Sequence, residues 1–299
     1  MGVGESPLTR EQTAIRQSAK RMTKLTISLL YYVALALSRF ALRLTGRSPA
    51  RTLTILYYHG IPDVYRWNFG RQLDWIQRIA RVMPAFHCGS LHSDKPNIAI
   101  TFDDAYVSVA NNALPELATR GFHSTIFVPT GPLGRSPPWS MEEGSPDSLE
   151  TIMSAEQIAK LPSLLVTVGS HSRTHPRLSR LALNDAREEI ESSRAKLQRL
   201  TTQDVRLFAF PYGDHNASTV ELCRMAGYEA VFSTMPTPVD TTASPFVRGR
   251  VKVDPLDWPL EFFLKCNGAY AWAPYASSLK KKLTSYKQSP TFQRYLSDY

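Results

Sequence analysis

The feature that most constrains this chain is a strand that stops on two adjacent carboxylates. Asn97-Ile98-Ala99-Ile100 runs without polar alternation into Thr101-Phe102-Asp103-Asp104. A short apolar run of this kind reads as a strand buried on both faces, as in a parallel sheet. Neighbouring side chains on a strand point to opposite faces, so adjacent aspartates cannot easily share one task. At the C-terminal tip of the strand they can diverge, one onto a metal and one towards a reacting water. The competing reading makes the second aspartate an N-cap of the next helix.

Two further tips follow in chain order. Leu164-Leu165-Val166-Thr167-Val168 leads into Gly169-Ser170-His171-Ser172-Arg173-Thr174-His175-Pro176. Histidines four apart on a helical turn face one way and can share a cation, although an isolated HxxxH also occurs on solvated turns. The third tip is Phe208-Ala209-Phe210-Pro211-Tyr212-Gly213. Three polar tips at strand ends are how an α/β barrel or a doubly wound sheet assembles a site.

Together these residues resemble the polysaccharide deacetylases (the NodB-homology domain, carbohydrate esterase family 4). Members carry TFDD, then HSxxH, then a PYG-type loop, in this order and at similar spacing. The stretch TFDDAYVSVANNALPELATRGFHSTIF, residues 101–127, is similar to the family's first block almost throughout, and the resemblance covers roughly residues 52–255. It implies an α/β fold, a distorted (β/α)7-type barrel, here preceded by an N-terminal hydrophobic helix. It also implies a metal-dependent hydrolase that removes N-acetyl groups from a hexosamine-containing polysaccharide.

The formal charge of +9 is unevenly placed. Residues 1–51 carry nine Lys/Arg against two Glu, and 279–299 carry five against one Asp, so 52–278 is left at −2. The basic character belongs to the ends, which argues against nucleic acid as a partner and towards a membrane surface. Residues 1–20 are polar and expected to be poorly ordered. Leu25–Leu42 is apolar, interrupted by Arg39 and a few hydroxyls. At 1.5 Å per residue it reaches about 27 Å, just short of a bilayer core of roughly 30 Å. Three readings stay open: an uncleaved signal anchor, an interfacial amphipathic helix, and a helix packed on the barrel. Arg16, Lys20, Arg21 and Lys24 would keep the N-terminus cytoplasmic and the catalytic domain outside, while Arg39, Arg43 and Arg47 weigh against that. The expected location is membrane-associated.

The expected organisation is a basic region with a hydrophobic helix (1–51), a deacetylase domain (52–264) and an aromatic, basic tail (265–299). Strands are expected at Leu53–Tyr58, Ser124–Val128, Glu229–Ser233 and Val247–Val253. Helices are expected at Phe69–Val82, Asn112–Thr119, Leu183–Leu200 (with Asn184 or Asp185 near the cap) and Val220–Ala226. The long loop Gly131–Asp147 can overhang a groove, and its Trp139 either stacks on a sugar or packs the loop. The tail mixes Tyr270, Trp272, Tyr275, Tyr286, Phe292 and Tyr295 with Lys280-Lys281-Lys282, which reads as a helix packing its aromatics on the barrel or as a membrane contact. Cys88, Cys223 and Cys266 form no CxxC and no readable disulfide framework.

For the chemistry, Asp104, His171 and His175 are the expected ligands of a divalent metal, Zn2+ first, with Co2+ or Ni2+ as alternatives. Asp103, beside Asp104 but off the metal, is the expected general base; the resemblance assigns these four roles the same way. It also implies that the Tyr212 N–H binds the oxyanion, with Pro211 shaping the turn.

Three departures stand out. Ala105 replaces the usual Gly after TFDD, which costs on the order of 1 kcal/mol if φ there is positive. Phe208 stands where the third block often begins with an Arg that pairs with the catalytic Asp. Arg250 resembles the arginine that FAFPYG-type variants carry instead, with Arg206 as an outside candidate. No histidine follows His215, so the family's late Leu-x-His block is missing. His59 or His215 is then left to protonate the leaving amine, and His59, at its own strand tip after Leu53–Tyr58, is preferred; it also reads as a structural histidine. Asp254-Pro255-Leu256-Asp257-Trp258 is similar to the family's DxxDW block but lies late in the chain. The partner implied is an acetylated glycan, with oligomeric state undetermined. The other readings are a non-catalytic glycan-binding or assembly protein on the same fold, and a hydrolase of a small amide or imide.

Overall fold

The computed structural model describes residues 10–91, 95–141 and 144–276. It divides into two compact units, Met1–Pro49 and Ala50–Tyr299. The tail residues Lys280, Lys281, Lys282, Tyr286, Phe292 and Tyr295 lie outside the described residues.

The first unit holds one long helix, α1 (Arg10–Leu44). Its Ser18–Leu44 stretch is long and apolar enough to cross a membrane or to be a signal sequence. Helix begins earlier than expected, at Arg10, because Glu, Gln, Ala, Lys and Arg are good helix formers even where no apolar face exists. Gly46 (φ 72) ends the helix, and the Arg47 N–H turns back to the Leu42 carbonyl at 3.0 Å, a left-handed glycine stop.

The second unit is an α/β barrel. Its elements are β1 (Leu53–Tyr58), α2 (Arg66–Ile79), β2 (Arg81–Val82), β3 (Asn97–Phe102), α3 (Leu114–Ala118), β4 (Ser124–Val128) and α4 (Ala155–Ala159). Then come β5 (Val166–Ser170), α5 (Leu183–Thr201), β6 (Leu207–Ala209), α6 (Ala217–Met225), β7 (Ala230–Phe232), β8 (Val247–Arg248), β9 (Val251–Lys252) and α7 (Pro259–Cys266). The named strands pair in parallel in the order β8-β7-β6-β5-β4-β3-β1-β9, with β2 beside β3.

The barrel closes at a seam of six residues. Val247–Arg248 pairs with β7 and Val251–Lys252 pairs with β1, so one short segment forms both sheet edges. A single strand over Val247–Val253 was the sequence expectation. It splits because the chain must step from one edge to the other at Gly249-Arg250. A Cβ on Gly249 would collide with Thr237 Oγ1 and the Met235 carbonyl, so only glycine makes the step.

Alternation decides what faces the barrel interior. Leu53, Ile55, Ala99, Phe127, Leu207, Ala209, Ala230 and Phe232 form one buried cluster. Small residues leave room for large ones: a Cβ on Gly169 would strike the Phe127 ring. The same alternation continues upward through Tyr57 and Thr101 to His59 and Asp103, which places both at the mouth. The outer face carries Tyr58 and Phe102, packed on Phe69 of α2 with ring centroids 5.2 and 6.1 Å apart.

Two helices differ from expectation. The predicted 69–82 helix stops at Ile79, and Arg81–Val82 pairs with Asn97–Ile98 instead. Here edge pairing overrides helical spacing. The predicted 112–119 helix starts at Leu114 after a π-helical turn over Val109–Ala113, since Pro115 supplies no N–H to continue an α-ladder backward. Helix α5 agrees: its N-cap is Ala182, without a side-chain cap bond, and Asn184 and Asp185 lie in the first turn near that cap.

Candidate active site

The tip of β3 separates its two carboxylates. Asp103 extends the ladder by one residue, its N–H donating to the Tyr58 carbonyl at 2.9 Å. Asp104 (φ 66) and Ala105 (φ 51) then take left-handed conformations. That reversal sends Asp103 towards the seam and Asp104 towards the β5 tip. Asp104 is therefore not a plain helix cap.

Asp103 meets Arg250. The guanidinium donates from Nη1 to Oδ1 at 2.6 Å and from Nη2 to Oδ2 at 2.9 Å, a two-pronged pair buried at both ends. Arg250 also donates to the Ser233 carbonyl at 3.3 Å and to Thr101 Oγ1 at 3.3 Å, and lies over the Tyr57 and Phe127 rings. Burial alone would raise the Asp103 pKa. The Arg250 charge and bonds, with His171 and His59 nearby, outweigh it and hold the carboxyl at about 2. Arg206, the outside candidate, is instead on the surface, paired with Glu229 and Asp204.

Asp104 faces His171 and His175. Its Oδ1 lies 3.7 Å from His171 Nε2 and 3.4 Å from His175 Nε2, all three residues buried. His171 Nδ1 is fixed by the Ala209 carbonyl at 2.7 Å, which turns Nε2 to the site. Asp104 Oδ2 accepts from the Tyr106 hydroxyl at 3.1 Å. Burial lowers both imidazoles, His171 to about 4 and His175 to about 2, so their lone pairs are available to a cation.

The two histidines do not converge through a helical turn, as the i,i+4 spacing suggested. Residues 171–176 form a loop in which Ser172 (φ 65) and His175 (φ 64) are left-handed. Glu189 of α5 holds it, accepting from the N–H groups of Arg173 and Thr174 and from Thr174 Oγ1 at 2.9, 2.7 and 2.7 Å. Glu189 and Tyr106 were missed in the sequence. Glu189 had a signal: it is a carboxylate on the buried stripe of an amphipathic helix, between Ala186 and Ile190.

The donor set suits a divalent cation. One atom each from Asp104, His171 and His175 lies within 4.8 Å of the others, and Asp104 Oδ1 is buried with no hydrogen-bond partner. Separations of 3.4 and 3.7 Å exceed hydrogen-bond length but suit donors about 2.0–2.1 Å from a shared ion.

Pro211-Tyr212-Gly213 forms a tight turn with Tyr212 (φ 59) and Gly213 (φ 67) both left-handed. A side chain at Gly213 would collide with Thr234. The Tyr212 ring lies 4.7 Å from the His175 ring and 4.2 Å from the Arg177 guanidinium. Trp139 stacks on His175 at 4.1 Å, so it packs on a predicted ligand. His59 sits at the β1 tip, edge-on to Tyr57 at 5.7 Å; burial lowers its pKa while the Asp103 charge raises it. His215 is occupied elsewhere, with Nδ1 on the Gly213 carbonyl at 2.8 Å and its ring on Phe210. Asp257 of the DxxDW-like stretch pairs with Lys265 at 2.7 Å rather than with an expected site residue.

The polysaccharide deacetylase family model matches residues 91–231, which include the three tips but neither His59 nor Arg250. YxkH of Bacillus subtilis (strain 168), provisionally named a polysaccharide deacetylase, is 24% identical over 218 residues, 69% of this chain and 73% of its own. The structure of IcaB from Ammonifex degensii superposes with a TM-score of 0.60 at 26% identity, covering 74% of this chain and 98% of that one. The Streptococcus pyogenes deacetylase PplD, solved with acetate, shares the fold at a TM-score of 0.60 and 20% identity, covering 73% and 99%. Ordered tips, a curled parallel barrel and these likenesses agree, and what the chain is similar to throughout is the polysaccharide deacetylase family.

Proposed function

We propose that this protein is a metal-dependent N-deacetylase of a hexosamine-containing polysaccharide, releasing acetate and leaving a free amine. The observation that carries the reading is the division of labour at the β3 tip. Asp103 is kept ionised by Arg250, while its neighbour Asp104 joins two neutral imidazoles.

A divalent ion held by Asp104, His171 and His175, Zn2+ before Co2+ or Ni2+, supplies Lewis acidity to the water and the acetamide carbonyl. The rest falls to the chain. Asp103 accepts the proton of the attacking water as general base. The Tyr212 N–H, presented by the left-handed turn that Pro211 and Gly213 shape, donates to the oxygen where charge develops. Arg250 positions Asp103 and keeps it charged. His59, on the same interior-facing register, protonates the departing nitrogen; burial lowers its pKa, and the Asp103 charge beside it offsets part of that. The Ser18–Leu44 segment holds the enzyme at a membrane, with the barrel outside the cytoplasm and an exported glycan as substrate.

The test is acetate release by the full-length chain in detergent from chitooligosaccharides, poly-N-acetylglucosamine and peptidoglycan fragments, with Zn2+, Co2+ or Ni2+. Metal-dependent release that vanishes in Asp103→Asn is expected. Bound metal without release from any of them would move the reading to a small amide substrate or to glycan binding.

A further inference from the structure

Arg177 follows His175-Pro176 on the loop that carries the second predicted ligand histidine. Its guanidinium lies 4.2 Å over the Tyr212 ring, and that ring lies 4.7 Å from His175. Arg177 is exposed, and Tyr212 keeps 40% of its surface in water. The position is fixed from both sides: Leu178 is fully buried, and the Ser179 N–H donates to Asp214 Oδ2 at 3.0 Å. That bond occupies the acid next along the Tyr212 turn. Arg173, four residues earlier, sits 3.5 Å from Glu188 and from Glu189, so those carboxylates are engaged as well. Among the described residues Arg177 has an aromatic face for a neighbour and no ion pair.

A guanidinium stacked on a ring is dehydrated on one face and keeps its in-plane donors for a planar anion. Residues 52–278 carry a net −2, so Arg177 beside the expected site is not part of a generally basic barrel surface. We propose that Arg177 is a specificity-determining residue that takes an anionic group of the glycan, a carboxylate or a phosphate, close to the reacting acetamide. This rests on the deacetylase reading, which puts that acetamide at the Tyr212 N–H. The substrate class is then an acidic N-acetylated glycan rather than a neutral homopolymer. Arginine binds either anion through paired N–H donors, whereas lysine offers only a point charge.

The experiment compares full-length wild type, Arg177→Gln and Arg177→Lys in detergent on three probes. These are tetraacetylchitotetraose (neutral), muramic-acid-containing peptidoglycan fragments (carboxylate) and a phosphodiester-linked N-acetylhexosamine oligomer (phosphate). Wild type is expected to favour one anionic probe over the neutral one in kcat/KM, and which one names the anion. In Arg177→Gln that ratio falls about tenfold, through KM, and Arg177→Lys restores part of it. Equal loss on all three probes would mean that Arg177 only props Tyr212, and would overturn the proposal. So would a wild type that prefers the neutral probe. Absence of acetate from every probe with wild type is a different failure, that of the deacetylase reading itself.

Discussion

Arg250 and Asp103 are 147 residues apart in sequence and joined by two hydrogen bonds of 2.6 and 2.9 Å across the seam of the barrel. The residue that closes the sheet is therefore also the one that sets the charge of the proposed base. Replacing Arg250 by Met leaves a buried carboxylate without its partner. Loss of about 3–5 kcal/mol of stability is expected, together with at least a hundredfold loss of acetate release. The acid limb of any residual activity moves to higher pH. Calorimetry and a pH–rate profile check this, and an unchanged acid limb would separate Arg250 from the base.

Linkage gives the same pair a signature in stability. The Asp103 carboxyl is depressed from 3.8 to about 2, so its contribution is fully present above about pH 4 and is lost as pH falls through about 2. Other carboxylates titrate there too, so the useful quantity is the difference between wild type and Asp103→Asn. That gap in melting temperature should hold from pH 5 to about pH 4 and narrow steadily from there to about pH 2.5. A constant gap would contradict the pairing.

Gly249 should tolerate no side chain. Gly249→Ala pushes a methyl into Thr237 Oγ1 and the Met235 carbonyl at the only step between sheet edges described. A loss of several kcal/mol is expected, beyond the 1–3 kcal/mol typical of overpacking, with activity falling in parallel because Arg250 is adjacent. Wild-type stability in this variant, read by denaturant titration, would show that the seam relaxes.

Removal of the cation is expected to abolish acetate release and to lower the melting temperature, since an ion that binds only the folded chain stabilises it. Chelation followed by addition of Zn2+, Co2+ or Ni2+ should restore both. His171→Ala should retain no stoichiometric metal after dialysis, as measured by elemental analysis. Deacetylation persisting in a metal-free variant would remove these residues from the chemistry.

Ala105 occupies a left-handed conformation, with φ of 51°. An L-residue pays about 1–2 kcal/mol there, but Ala105 is also fully buried. Ala105→Gly relieves the backbone while losing a buried methyl and loosening the unfolded chain, so a net change under about 1 kcal/mol is expected. Ala99→Gly in the middle of β3, where nothing is relieved, should be clearly destabilising. Equal losses at both positions would mean that residue 105 is unstrained.

The strand tips were legible because their signal is local. An apolar run that ends on polar residues marks a buried strand reaching the surface, and Ser124–Val128 and Leu53–Tyr58 occur where β-branched and aromatic content put them. Chain order of the tips was enough to bring Asp104, His171 and His175 together, because parallel strands deliver their C-terminal ends to one face. The mechanism of that convergence was misread. Helical spacing suggested it, yet left-handed Ser172 and His175, braced by Glu189, achieve it.

Sequence alone thus determined the fold class, the pair of adjacent carboxylates and the identity of the residues that meet at the mouth, all through patterns within a few residues of each other. Only the tertiary structure decided the two-pronged geometry of the Arg250–Asp103 pair, how Val247–Lys252 splits to close the sheet, and that Trp139, Tyr212 and Arg177 lie beside His175 and one another. Those outcomes depend on φ signs at single residues and on contacts between segments far apart in sequence. No local pattern encodes either, because a left-handed Asp or Ala is selected by the packing around it rather than by its own preference.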